Sequence, residues 1–263
     1  MSDAPQFVKL RYNGIELAYY GKIDEDKVPL VFVHGAGGNG LLWKQQLKYF
    51  AGKYSSIALD LPGHGNSGGD SCQSVSLYRD YIKDFKDSLS LPSIVFCGHS
   101  LGGAIALDFQ FKYPEDTKAI ILVATGGRLR VATKILERYG RDEKMPEMAG
   151  FLYGSHAPEN MVREGEKYIT EVPARIWYDD FTACNNFDVL GELHKTKVPA
   201  LILCGEEDQM TPHKYSHFLE QNIKGAKLEL FPGAGHMLML EKPREINKTI
   251  ERFLEALKND FVL

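Results

Sequence analysis

Ser100 stands in Gly98-His99-Ser100-Leu101-Gly102, with a glycine two residues before it and two after it. A serine hydroxyl is a weak nucleophile at neutral pH. It needs a base to take its proton and a carboxylate to orient that base. Of the eight histidines, His236 in Gly233-Ala234-Gly235-His236-Met237 is the candidate base, because it follows the last apolar run of the chain, 227–231. His99 adjoins the serine, but neighbours in so sharp a turn point apart. His64, in Gly63-His64-Gly65, reads as a loop-shaping residue, and His156, His194, His213 and His217 as surface or helix positions. The acid is sought after the apolar run 200–204, where Glu206, Glu207 and Asp208 follow one another. Asp208 is chosen because it sits where the loop turns, just before Thr211-Pro212 opens a helix; Glu206 and Glu207 are expected in solvent or behind the site. One strand earlier the turn reads Ala124-Thr125-Gly126-Gly127 and offers no carboxylate. The chemistry would be acyl transfer, with the serine, acid and histidine in that chain order.

A tetrahedral acyl intermediate also needs donors for its oxyanion. One is the backbone N–H of Leu101, the residue after the serine. The other is expected from His34-Gly35-Ala36-Gly37-Gly38, whose glycines let the backbone approach a ligand. There the N–H of Ala36 is the first choice and Gly37 the near alternative. A phosphate-cradling role for this loop is excluded by the lack of a following Gly-Lys-Ser/Thr.

These residues must be carried by elements, and the elements alternate. Apolar runs rich in β-branched residues occur at 7–12, 15–20, 29–33, 56–59, 94–97, 120–123, 200–204 and 227–231. The central ones are continuous rather than alternating, as strands covered on both faces should be. Helix-period stretches lie between them at 41–50, 75–89, 101–113, 214–222 and 244–257, with Pro243 suited to a first helical position. In 75–89 the expected buried stripe is Leu77, Tyr81, Phe85 and Leu89. The pattern predicts a mostly parallel sheet with helices on both faces. Asn13-Gly14 predicts that it opens with an antiparallel hairpin. Alternation stops after Gly126-Gly127 and resumes at Val198-Pro199. Residues 128–189 therefore read as a helical lid over the carboxyl edge of a core made of 1–127 and 190–263, the edge where such sheets bind ligands.

Taken together, the chain resembles the α/β-hydrolase superfamily, in its lidded, serine esterase-like branch. The resemblance rests on His34-Gly35-Ala36-Gly37-Gly38, Asp60-Leu61-Pro62-Gly63-His64-Gly65-Asn66-Ser67, Gly98-His99-Ser100-Leu101-Gly102-Gly103, Gly205-Glu206-Glu207-Asp208 with Pro212, and Gly235-His236, in order along nearly the whole chain. It implies an eight-stranded sheet whose second strand is antiparallel, a lid after strand 6, and a cofactor-free acyl-enzyme mechanism. The lid matches no one subfamily closely enough to carry a substrate over.

The expected substrate is a carboxylic ester of small to medium acyl chain. The lid supplies Met145, Met148, Phe151, Tyr153, Tyr168, Trp177, Tyr178 and Phe181, and Met237 stands beside the histidine. Two or three of these are expected to face the ligand, with Gly37, Trp177, Phe181 and Met237 the pocket candidates. Arg128, Arg130, Arg163, Lys167 and Arg175 are expected on a solvated face. One of them reaching the pocket would point to an anionic substrate, and Arg175 is the one to watch for the runner-up, carbon–carbon bond cleavage of vinylogous 1,5-diketones. Perhydrolysis would use the same triad. A non-catalytic binding module is the reading from another class, against which the intact triad speaks.

The 263 residues carry a net charge of −4 and give no basic footprint for a nucleic acid partner. No apolar run is long enough to span a bilayer, and Met1-Ser2-Asp3-Ala4-Pro5 has no signal-peptide character. Four cysteines are too few for a disulfide framework, and Cys97 and Cys204 fall in strand-like runs as buried thiols. The expectation is a cytoplasmic protein without metal or cofactor.

Overall fold

The computed structural model describes residues 4–260; the first three residues of the N-terminal stretch read above lie outside them. Eight strands form one sheet: β1 (Gln6–Lys9), β2 (Glu16–Lys22), β3 (Pro29–Val33), β4 (Ser55–Leu59), β5 (Ile94–His99), β6 (Thr117–Val123), β7 (Ala200–Gly205) and β8 (Lys227–Phe231), in the spatial order β1-β2-β4-β3-β5-β6-β7-β8. β2 runs antiparallel to both of its neighbours, and all other pairings are parallel. The hairpin between β1 and β2 turns at Gly14, whose φ of 73° is cheap only for glycine.

All five residues of β3 and all six of β5 are buried, because helices cover both faces. Alternate residues divide between two cores. Val31 and Val33 pack with helix α2 (Val75–Ser88) and helix α3 (Leu101–Lys112). Leu30 and Phe32 pack with Leu47 and Phe50 of α1 (Lys44–Phe50), and with Ile246, Ile250 and Phe253 of the C-terminal helix.

Of the expected stripe on α2, Phe85 is buried and Tyr81 and Leu89 pack partly buried against the core, while Leu77 is 52% exposed; Val75, Tyr78 and Ile82 complete the buried face. Steps of four residues overshoot a turn of 3.6, so a stripe drawn at i, i+4, i+8, i+12 rotates by roughly 40° per step and leaves the core. Steps of three and four in mixture stay on it.

Between β6 and β7 the chain makes α4 (Thr133–Gly140), a short 3₁₀ turn Pro146–Phe151, α5 (Glu159–Glu171) and α6 (Ala174–Asn186). Both ends of this insertion meet: Arg128 bridges Asp188, and Val189 N–H donates to the Gly127 carbonyl at 2.8 Å. Inside it, Tyr139, Met148, Ile169, Trp177 and Phe181 form a third apolar cluster. After β7 come α7 (Lys214–Asn222), β8, the single-turn α8 (Leu238–Glu241) and α9 (Pro243–Asp260), which begins on its proline. Among the described residues no helix is long and apolar enough to cross a membrane.

Candidate active site

Ser100 occupies the turn between β5 and α3, with φ 52° and ψ −113°, a conformation an L-residue adopts only under constraint. The constraint is backbone packing. Ser100 N–H donates to the Val123 carbonyl at 2.9 Å, and its own carbonyl accepts from Thr125 Oγ1 at 2.8 Å. Strand and helix approach so closely that a Cβ at Gly98 would lie 2.1 Å from the Gly102 carbonyl oxygen. Gly98 thus admits the backbone of Gly102, and Gly102 in turn admits the end of β3, where its own Cβ would lie 2.5 Å from the Val33 carbonyl oxygen; this packing leaves the serine at the first turn of α3.

The β7–α7 loop holds Asp208 and the β8–α8 loop holds His236; both are buried. His236 Nδ1 lies 2.9 Å from Asp208 Oδ2 and 3.1 Å from Oδ1. The carboxylate also accepts the N–H groups of Met210 (2.9 Å) and Thr211 (2.8 Å) on Oδ1 and the Thr211 hydroxyl (2.8 Å) on Oδ2. Burial alone would raise its pKa. The facing imidazole and the Thr211 donors outweigh that and leave it below the usual carboxylate range. With acceptors facing Nδ1, the ring keeps its proton there and leaves Nε2 free to accept.

His99 borders the same cavity as Ser100, and its hydrogen-bond partner is informative. Its Nε2 hydrogen-bonds the His236 carbonyl at 3.0 Å, and the two rings lie 4.7 Å apart. Burial, then the neighbouring His236, drive its pKa down to about 3, so it is a neutral support for the histidine loop. That loop is held a second time: Glu241 accepts both Gly235 N–H (3.0 Å) and Gly154 N–H (2.8 Å). Glu207 ties the Asp208 loop to the insertion through Ser155, while Glu206 lies exposed.

In the β3–α1 loop the two oxyanion candidates separate. Gly37 N–H is taken, donating to Asp180 Oδ2 at 2.8 Å, and Gly38 N–H donates to the Gly35 carbonyl. Among the described residues the N–H groups of Ala36 and Leu101 donate to no other protein group. Gly37 is also not a cavity-lining residue: its φ is 63°, and a Cβ there would strike the Trp177 ring at 2.5 Å.

Ser100, His236, Gly35 and Ala36 open onto one cavity of about 390 Å³. Trp177, Phe181 and Met237 line it as expected, and so do Met148, Tyr153 and Tyr168. Five of the eight insertion residues named from the sequence therefore face the cavity rather than two or three. Met145 and Tyr178 pack into the insertion's own cluster and Phe151 is half exposed. Arg175 does not enter: its side chain is 74% exposed and bonds Asp179 at 2.7 Å. Arg128 and Arg130 meet Asp188, Arg163 meets Glu159, and Lys167 meets Glu171, all at the surface. The carboxylate at the cavity is Glu164, an exposed residue of α5.

Sequence reasoning passed over Asp179 and Asp180, both buried on α6. Asp179 accepts from Ser71 and Gln73, so the pair clamps the insertion to the loop after β4. Two adjacent carboxylates inside the apolar stretch Trp177–Phe181 were the available signal, since a helix face packed on a core carries such groups only when they are partnered. All four cysteines are buried free thiols.

Residues 30–249 match the profile of the alpha/beta hydrolase family. A solved thermophilic esterase is 30% identical, covers 97% of this chain and 98% of its own, and superimposes with a TM-score of 0.83. The 3-oxoadipate enol-lactonase 2 of Acinetobacter baylyi is 27% identical over 248 residues, 88% of this chain and 90% of that protein. A human monoacylglycerol lipase is 26% identical over 265 residues, 89% of this chain and 77% of that one.

Proposed function

Since the chain belongs to the alpha/beta hydrolase family, we propose that it is a serine hydrolase cleaving uncharged carboxylic esters of small to medium acyl chain, with Ser100, His236 and Asp208 as its triad. His236 takes the Ser100 proton as the hydroxyl attacks the acyl carbonyl. The Ala36 and Leu101 N–H groups hold the oxyanion. The imidazolium then protonates the leaving alcohol; His236 next takes a proton from the water that attacks the acyl ester of Ser100 and returns it to the Ser100 oxygen as the carboxylic acid leaves. Asp208 stays ionised and keeps the ring in its tautomer. Residues 128–189 serve as the lid that roofs the acyl pocket.

The observation that carries this reading is the buried Asp208–His236 pair, 2.9 Å apart, opening with Ser100 onto one predominantly apolar cavity. The charge lining that cavity favours uncharged esters. Glu164 is acidic, and among the described residues no arginine or lysine lines the cavity. That removes the carboxylate anchor which carbon–carbon cleavage of a dienoate would require. The test is turnover of p-nitrophenyl esters from acetate to palmitate beside Ser100→Ala. Turnover that peaks at short to medium chains and falls by several orders of magnitude in the variant is expected; a folded protein inert on every ester would overturn the proposal.

A further inference from the structure

We propose that Asp180 is a positioning residue for this reaction: from helix α6 of the insertion it holds the Gly37 N–H, and so keeps the preceding peptide aimed at the carbonyl attacked by Ser100. The inference rests on the serine-hydrolase reading. Asp180 is 0% exposed, and its carboxylate receives three donors: Gly37 N–H at 2.8 Å, His64 Nε2–H at 2.8 Å and the Tyr78 hydroxyl. His64 is 1% exposed, and its Nδ1 faces the Pro62 carbonyl at 2.9 Å. Both of its nitrogens therefore meet acceptors, which only the imidazolium satisfies. Burial alone would lower its pKa; the Asp180 charge and the hydrogen bonds reverse this and raise it.

The loop geometry shows what the pair holds. Ala36 lies between two peptide units. In the first, the Gly35 carbonyl accepts Gly38 N–H (3.1 Å) and His34 Nδ1–H (2.8 Å). His34 is fixed in that tautomer because its Nε2 accepts Leu61 N–H at 3.0 Å. A peptide is planar and its C=O and N–H point oppositely, so pinning the Gly35 oxygen turns Ala36 N–H the other way. The second unit, whose N–H is that of Gly37, is pinned by Asp180. With both flanking peptides held, the dihedrals at Ala36 cannot drift. A buried ion pair is seldom worth its desolvation for stability alone, and apolar residues of like volume would serve as well. Here the charged acceptor does what an apolar residue cannot: it holds a backbone donor of the oxyanion loop.

The test compares Asp180→Leu, which has no acceptor, with Asp180→Asn, which keeps one acceptor oxygen and the shape. Active sites are counted by the end point of fluorophosphonate labelling, and Ser100→Ala is measured beside them. Losing an oxyanion donor costs about 100- to 1,000-fold in kcat, so misaiming one is expected to cost roughly ten- to a hundredfold per titrated site in Asp180→Leu. KM should change less than about threefold, and affinity for a boronic acid analogue of the tetrahedral state should fall in parallel with kcat/KM. Asp180→Asn should lie between Leu and wild type on both scales. A lower Tm with wild-type kcat per site and wild-type boronate affinity would reduce Asp180 to a structural clamp and overturn the inference. If Asp180→Leu does not fold, Asp180→Asn decides alone: wild-type kcat and boronate affinity overturn it, a matched fall in both sustains it. Full activity in Ser100→Ala would instead overturn the underlying reading.

Discussion

Asp208→Asn exchanges one oxygen of a fully used carboxylate for an NH₂ group, and the structure dictates which. Oδ1 accepts Met210 N–H at 2.9 Å and Thr211 N–H at 2.8 Å, so an NH₂ there would face two donors. The amide oxygen must therefore stay at Oδ1 and the NH₂ take the place of Oδ2. There it lies beside the Thr211 hydroxyl, which can rotate to accept, and 2.9 Å from His236 Nδ1. Nδ1 must then accept and the ring proton moves to Nε2, the nitrogen that has to receive the serine proton. The fold is kept and the base is lost. A wrong tautomer of this kind costs about 10,000-fold in kcat, which corresponds to about 5.4 kcal/mol of transition-state stabilisation. The assay is kcat and KM on p-nitrophenyl butyrate at neutral pH, with thermal unfolding to verify the fold and Glu206→Gln, an exposed carboxylate, as the control within about twofold. If Asp208→Asn keeps kcat within tenfold of wild type, the tautomer argument fails and so does the assignment of Asp208 as the orienting acid.

Two further outcomes follow from buried and cavity-lining charge. His99 has its pKa lowered to about 3 by burial and by His236. Its unfolded form takes up a proton below about 6.5 while the folded form does not. The stability it contributes is thus complete above pH 6.5 and lost as pH falls toward 3, with His34, lowered in the same direction by burial, adding to the loss. Thermal midpoints measured between pH 7 and 4 should decline more gently in His99→Gln than in wild type, and parallel slopes would refute this. Glu164→Lys should raise kcat/KM for p-nitrophenyl monoesters of dicarboxylic acids by roughly threefold to tenfold relative to the uncharged butyrate, an advantage that shrinks at high salt because the site is exposed. An unchanged ratio would show that the carboxylate does not sense the substrate.

Much of this arrangement was legible along the chain. The strand spans 29–33 and 227–231 coincide with β3 and β8, and the helix 214–222 with α7, because a continuous apolar run in β3, an alternating one in β8 and a helical period are local signals. Ser100, Asp208 and His236 reach one sheet edge since each ends or follows a parallel strand. Other features were not legible. Leu77 falls off the buried face of α2 because spacing alone does not say which of two apolar registers the sheet will cover. Five insertion residues line the cavity where two or three were expected, because a helical layer over a concave edge turns more of its inner face to the opening than a closed bundle does. The choice of Ala36 over Gly37 as the free donor depends on Asp180, 143 residues away.

The amino-acid sequence by itself determined the architecture and marked the candidate residues. The alternation of strands and helices, glycines where backbones must touch, and a serine, an acid and a histidine after the fifth, seventh and eighth strands are local properties that survive reading one residue after another. The tertiary structure alone decided the fine geometry: which amide of the β3–α1 loop is left without a protein acceptor, that Arg175 turns outward to Asp179 while Glu164 borders the cavity, and that His64 and Asp180 close a charge pair between loop and insertion. The physical reason is that a hydrogen bond or an ion pair depends on which donors and acceptors remain unpaired when distant segments meet. That is a property of the packed molecule, and no stretch of sequence contains it.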